Sequence, residues 1–541
     1  MKSPTVFVRD ATGLVRGLST FDALIISLAI VNLPGAVTVT VVLIGLYPGT
    51  DLFWAFTVGL IAPLGFVLTY SIMTAAFPRA GGDYVWMSRI AGPGVGFVTS
   101  WVYQFSYLLF TAGQAGFFFA WLALAPTLTS MGLVLKIPYL IELSKMISSS
   151  TELAFFVGLI IVAVGTMICL LGIRVYSRFM RVMWVYGLIG LIVWFALVLT
   201  STNAGFISSF NSLMSGTTSY EGIIKAATDE GLLKMGPSVT ATLASAIPLS
   251  WTMYAGFNTQ IFVAGETKNA SRSIPLSLIL GIFVSWAFIV GFFLLSLNVF
   301  GRDFLYALSS LSATGSASYT LPMGPSTSFL ISVLTNNPLV VFIASSSLLV
   351  SWIIFPLPVL TAGSRVVFAW SFDRVIPSKL ASVNDRFHSP VIALFLCGLV
   401  GAFWAYMNAY NGYLLALMGI SLLQAVGWAV PGFIAALFPY VKKDLYERTV
   451  GRLPSVFSRK IVGVPIVTIG GLIQGVSMLL YGYSLLWPTL TFVEFSPAVA
   501  SAIEGLIATV AAGLIYYLAA RAYRKRQGLD LSVVFREIPP E

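Results

Sequence analysis

Residues 27–40 read SLAIVNLPGAVTVT, in the middle of an apolar run, residues 20–46, that is long enough to cross a membrane. Asn32, Leu33, Pro34 and Gly35 stand at its centre. Pro34 has no backbone N–H and its ring clashes with the preceding turn, while Gly35 adds backbone freedom. In hydrocarbon, a carbonyl freed from its helix is costly unless protein or ligand satisfies it. The stretch is therefore either a packing kink supported by neighbouring helices, or a place where backbone groups and the Asn32 amide meet a bound solute.

The remainder of the 541-residue chain shares this character: 58% of residues are hydrophobic and 9% charged, against about 25% charged in a soluble domain. Twelve spans of about 20 residues or more can be drawn, in order at 20–46, 51–76, 94–125, 152–172, 180–201, 239–265, 274–300, 338–371, 389–410, 412–438, 462–487 and 497–520. They indicate an all-α polytopic membrane protein. The apolar segments are too long and continuous for barrel strands, and the polar start followed by a long first run does not read as a cleavable signal. Cys169 and Cys397 both lie in apolar runs, which speaks against a disulfide framework or a thiolate metal site. No nucleophile–base pair, metal cluster or phosphate loop emerges, so neither an enzyme nor a cofactor is expected.

The net charge of +10 is explained by its distribution. Of 30 Lys and Arg residues, 25 fall in alternate loops, leaving Lys136, Lys145, Lys225, Lys234 and Arg302 on the other side. That bias predicts cytoplasmic termini in a plasma membrane, with the basic surplus facing anionic lipid rather than nucleic acid. The organisation reads as a cytoplasmic N-terminus (1–19), a first five-helix repeat (20–202), an extracellular loop (203–238), a second five-helix repeat (239–438), a cytoplasmic loop (439–461), two further helices (462–520) and a cytoplasmic tail (521–541).

The sixth span repeats the anomaly of the first. Within SAIPLSWTMYAGFNTQIFVAGETKNASRSIP, Tyr254-Ala255-Gly256-Phe257-Asn258 places a Gly beside an Asn in an apolar run. Spans 1 and 6 are an odd number of crossings apart and so run in opposite directions. Two interrupted helices at corresponding positions of two inverted halves are the sequence pointer to a transporter binding site.

Four stretches carry a family resemblance. LSTFDALIISLAIVNLPGAV (18–37) is similar to the opening helix of the amino acid–polyamine–organocation transporters. FPRAGGDYVWMSRIAGPGVGFVTSW (77–101) resembles their PRAGGxY signature, YAGFNTQIFVAGETKNASRSIP (254–275) their sixth helix, and GSRVVFAWSFDRVIPSKLASVNDRFHSP (363–390) the segment after their eighth. The resemblance implies a five-plus-five inverted-repeat fold of the leucine-transporter type with helices 1 and 6 broken. It implies secondary transport of an amino acid or related amine by alternating access. A carrier of another small organic solute, a transporter-like sensor and a passive pore remain as alternatives.

By that resemblance the substrate site comprises Val31, Asn32, Leu33, Pro34 and Gly35 of span 1, and Trp251, Thr252, Tyr254, Ala255, Gly256, Phe257 and Asn258 of span 6. Ser106, Tyr107 and Thr111 of span 3 and Trp352 of span 8 complete it. Arg79, Gly81, Gly82, Asp83 and Arg89 form a hinge loop on the cytoplasmic side, where Arg79, Asp83 and Arg89 are expected to form charge pairs that hold the loop against the bundle. Glu266 is expected to latch onto a basic residue, with Lys268 and Arg365 in the same gating group. Ser345, Ser346, Ser347 and Ser351 of span 8 offer oxygens to a sodium ion, or act as helix-packing glue.

Departures from the family pattern matter equally. Relatives offer backbone N–H groups of helix 1 to a substrate carboxylate, but Pro34 cannot donate. Asn258 stands where many relatives have Glu, and Gly187 where some proton-coupled relatives have Lys. His388, Glu152 and Glu504 fall outside the expected site. The coupling ion is thus open between proton, sodium and none. Substrate affinity is expected to change less than about threefold from pH 5.5 to 7.5, because the usual proton carriers are missing.

Overall fold

The computed structural model describes residues 13–233, 237–321, 324–411, 420–486, 498–531 and 535, without the side chains of 105–107 and 498–501. Among the described residues the only strands are the hairpin Lys460–Ile461 with Val464–Pro465, two isolated bridges lie elsewhere, and the remaining regular elements are helices. Eleven helices among these residues are long and apolar enough to cross a membrane. The twelfth expected span, 239–265, is helical only over Val239–Tyr254 and continues as tight turns, so it falls short in length. This is a multi-pass membrane protein.

Burial ranks the spans. The apolar window of Thr20–Leu46 is 89% buried, against 28% for Ile173–Thr200 and 22% for Ala502–Arg526. An apolar helix enclosed by protein is central, and one left bare faces lipid. Span 1 packs on Ala270–Phe300, Arg302–Ala313, Ile173–Thr200 and Pro338–Ile354; elsewhere Ile466–Leu486 packs on Ile420–Val441 and on Ile61–Ala76, and Thr151–Leu170 on Val391–Tyr410. A Cβ built on Gly158 would lie 3.1 Å from the Cα of Gly116, so spans 3 and 4 meet backbone to backbone.

Local chemistry sets the ends of span 1. Ser19 and Asp22 form a capping box: the Asp22 N–H donates to Ser19 Oγ at 3.2 Å and the Ser19 N–H to Asp22 Oδ2 at 2.9 Å. At its far end lie the short helices Arg302–Ala313 and Thr327–Val333, with Ser309 Oγ donating to the Val41 carbonyl and Thr327 Oγ1 to that of Val37. Residues 203–238, expected as a loop, contain the helices Asn203–Leu213 and Tyr220–Asp229. The opposite end is tied by backbone. Leu18 bridges to Thr267 in parallel, and Ala80 to Val263 antiparallel.

Candidate functional site

The first helix ends at Val31, and Asn32 adopts φ 55°, ψ 65° before a second helix begins at Leu33. Asn is among the few residues that tolerate this left-handed region. It also caps the second helix: Asn32 Oδ1 accepts from the Gly35 N–H at 3.2 Å. Pro34 occupies a first-turn position, where its missing N–H costs nothing. Gly35 is required, since a Cβ there would lie 2.5 Å from Asn32 Nδ2. That nitrogen is buried without a hydrogen-bond partner, which is expensive in an apolar site.

Span 6 departs from helix at Ala255 (ψ 135°) and Gly256 (φ 82°). Thr259 Oγ1 donates to the Gly256 carbonyl at 2.7 Å, and a short 3-10 turn, Thr259–Phe262, comes next. Ser27 Oγ donates to the Phe257 carbonyl at 2.7 Å and so ties the first helix of span 1 to the interruption of span 6.

A cavity of about 560 Å³ lies beside both, within the range of small-molecule sites. Of the expected residues, Val31, Asn32, Gly35, Thr111, Trp251, Thr252, Ala255 and Trp352 line it. Others do not. Leu33 and Pro34 face a separate void of about 20 Å³ beside Gly187 and Ser351. Tyr254 and Phe257 turn into the aromatic core, against Phe56 and Phe66 respectively. Gly256 and Asn258 are absent from the wall, Asn258 lying buried behind it. The side chains of Ser106 and Tyr107 lie outside the described residues. Wall residues that the sequence did not single out include Phe110, Gln114 and Phe118 of span 3, Phe355 of span 8, Gln424 of span 10 and Tyr481 of span 11. The wide turns Gln104–Leu109 and Phe119–Leu124 rotate the face of span 3, which helical periodicity alone would not anticipate.

The serines of span 8 do not converge on one point. Ser345 Oγ meets Ser328 Oγ at 3.0 Å and Ser346 Oγ meets Tyr186 OH at 2.6 Å, while Ser347 and Ser351 donate to carbonyls of their own helix. Side by side on a helix they point around it, and their bonds are those of packing.

The end near Leu18 is closed by two buried ion pairs. Arg365 Nε and Nη2 donate to Glu266 Oε1 and Oε2 at 2.7 and 2.9 Å. Arg89 Nη1 and Nη2 donate to Asp373 Oδ2 and Oδ1 at 2.6 and 2.8 Å, and Tyr84 OH donates to the same carboxylate at 3.0 Å. Of the hinge-loop charges, Arg89 reaches across to Asp373 and ties the loop to the bundle, Arg79 donates to the Pro78 carbonyl, and Asp83 accepts from Tyr70 OH at 3.1 Å. Lys268 has an exposed side chain, so the partner of Glu266 comes from span 8. Gly81 (φ 102°) and Gly82 (φ 58°) let the loop lie flat. A Cβ on Gly81 would be 2.5 Å from that of Ala369, and one on Gly82 would be 2.5 Å from the Phe262 ring.

Residues 18–518 match the family model described as amino acid permease. The chain belongs to the amino acid permease family. It is also 22% identical over 435 residues, 79% of this chain and 81% of the relative, to the branched-chain amino acid permease BcaP of Lactococcus lactis subsp. cremoris. The membership places this permease in the amino acid–polyamine–organocation superfamily and points to a transporter.

In this permease the PRAGGxY stretch supplies the closed end and not the cavity wall. Its Asp83 is 1% exposed and carries no ion pair among the described residues. Burial pushes its carboxyl up from 3.8 to about 7, with the Tyr70 hydrogen bond opposing.

Proposed function

We propose that this permease is a secondary active transporter of apolar amino acids across the plasma membrane, working by alternating access with both termini cytoplasmic. The observation that carries this reading is the cavity of about 560 Å³ at two helix interruptions, lined in part by Asn32, whose buried amide nitrogen has no hydrogen-bond partner. In a five-plus-five inverted repeat such interruptions lie at the midplane and present backbone groups to a charged substrate. Trp251, Trp352, Phe118 and Phe355 suit an apolar side chain, in keeping with the branched-chain substrates in the name of the Lactococcus relative.

Pro34 supports a second reading. It removes one donor from the carboxylate side, which favours an amine or amide solute over an amino acid. Counterflow in proteoliposomes against a panel of amino acids, amines and nucleobases decides between them. Exchange of leucine, isoleucine or valine is expected. Exchange of amines alone would move the assignment to the second reading, and no exchange of any solute would overturn both.

A further inference from the structure

Two buried polar groups near the closed end are left unused by the cavity. Asp83 has no cation among the described residues. Asn258, wholly buried at the interruption of span 6, makes no well-aligned hydrogen bond through either Oδ1 or Nδ2. Tyr70 of span 2 stands between them. Its hydroxyl donates to Asp83 Oδ2 at 3.1 Å, and the amides of Asn258 and Gln474 lie beside the same oxygen.

We propose that Asp83 is a proton-binding site of this permease, and that its charge state sets the direction of the hydrogen-bond chain running through Tyr70 to Asn258. A carboxylate can only accept, so with Asp83 ionised Tyr70 must donate to it and offers Asn258 a lone pair. When Asp83 takes a proton, its O–H donates to the Tyr70 oxygen. The Tyr70 proton then turns toward Asn258 Oδ1. One proton is bound, none is lost, and the amide faces a donor where it had faced an acceptor. Asn258 lies three residues from Ala255 on the cavity wall, so the reversal is delivered to the interrupted segment itself.

The surroundings leave Asp83 to titrate alone. Its own helix, Asp83–Ile90, carries Tyr84 and Arg89, and Arg89 is held by Asp373. The packed helix Pro356–Phe372 brings Arg365, held by Glu266. Arg79, in the loop before, donates to Pro78 O. Pro93–Tyr103 contributes Tyr103 alone, and Ile420–Val441 contributes Tyr440 and no charged side chain. A carboxyl that is buried beside one hydroxyl, with every neighbouring cation committed, gains a proton in the neutral range.

The test uses the full-length protein in detergent, without substrate. An infrared pH titration from pH 5 to 9 follows the C=O stretch of protonated carboxyl groups. A band that disappears near pH 7 in the wild type and is missing in Asp83→Asn is expected. Tyr70→Phe should shift that titration to higher pH, since the lost hydroxyl favoured the ionised form. Identical wild-type and Asp83→Asn titrations would overturn the proposal. If Asp83→Asn does not fold, an unmoved titration in Tyr70→Phe would overturn it instead. A transport arm rests on the proposed function. Leucine exchange should vary by up to about tenfold per pH unit around pH 7 in the wild type and by less than about twofold in Asp83→Asn. Retention of the wild-type pH profile by Asp83→Asn would also overturn the proposal. Failure of all exchange alongside a normal infrared titration would count against the transport reading and support the proton site.

Discussion

Asn32 closes one helix and opens the next, with one amide oxygen spent on the Gly35 N–H and one amide nitrogen left over. Its backbone is left-handed, so a branched replacement would strain the turn and confound any measurement of binding. Gly tolerates the same dihedrals and, as a cap, costs only a few tenths of a kcal/mol against Asn. Asn32→Gly is therefore expected to leave thermal stability nearly unchanged. If Nδ2 holds the substrate, it should weaken binding by about 1–3 kcal/mol, roughly 5- to 150-fold. Isothermal titration of the purified variant checks this, and unchanged affinity would return the segment to the role of a hinge. Asn32 and Pro34 announced themselves because they violate an apolar run. Gln114, Gln424 and Tyr481 did not, because in helices apolar on nearly every side no periodicity says which face turns inward.

At the level of elements, the bidentate pair Glu266–Arg365 joins the segment after span 6 to span 8. Removing one member of a buried pair strands the other charge and costs about 3–5 kcal/mol, whereas removing both is much milder. Glu266→Gln and Arg365→Met should each lower the melting temperature clearly, and the double variant should regain most of the loss. Additive losses would show that the two act separately. Glycines offer a second contrast. Gly82→Ala should be strongly destabilising, because the Cβ meets the Phe262 ring at a φ of 58°. Gly187 has nothing within 4 Å of its Cβ position and lies within a helix, so Gly187→Ala should stabilise by about 0.5–1 kcal/mol. Equal melting temperatures for the two variants would contradict this reading. The sequence motif marked the hinge loop, and its charges suggested ties to the bundle without naming the partners. The actual partner of Arg89, Asp373, lies 284 positions away, a distance that no local pattern bridges.

Across the whole molecule, composition and the run lengths of apolar residues were enough to announce a multi-pass helical protein. Among the described residues they overstated span 6, where Ala255 and Gly256 end a helix that hydropathy would carry on. The expectation of pH indifference rested on Asn258 and Gly187 and overlooked Asp83, which reads in sequence as one more loop charge. Its effect on stability has a definite sign. Burial raises the folded carboxyl from 3.8 to about 7, so the folded chain keeps a proton that the unfolded chain has released. The resulting stabilisation is complete below about pH 4 and is lost as the pH rises to about 7. The melting temperature should therefore fall between pH 5 and 8. Asp83→Asn should flatten that slope and melt above the wild type at pH 8. A wild-type profile that rises with pH would refute the assignment.

The backbone ties at the closed end have a consequence in time. The Leu18 N–H donates to the Glu266 carbonyl at 3.0 Å, that of Lys268 to Leu18 at 2.9 Å, and that of Gly81 to Phe262 at 3.1 Å. Three amides from three distant parts of the chain are thus shielded by one seam. The seam cannot part by piecemeal fraying, because the first two bonds flank a single residue. In deuterated buffer, peptides covering residues 18, 81 and 268 should take up label together, as two resolved mass populations when reclosing is slower than exchange. Their common rate would clock how often this end of the permease opens with no substrate present.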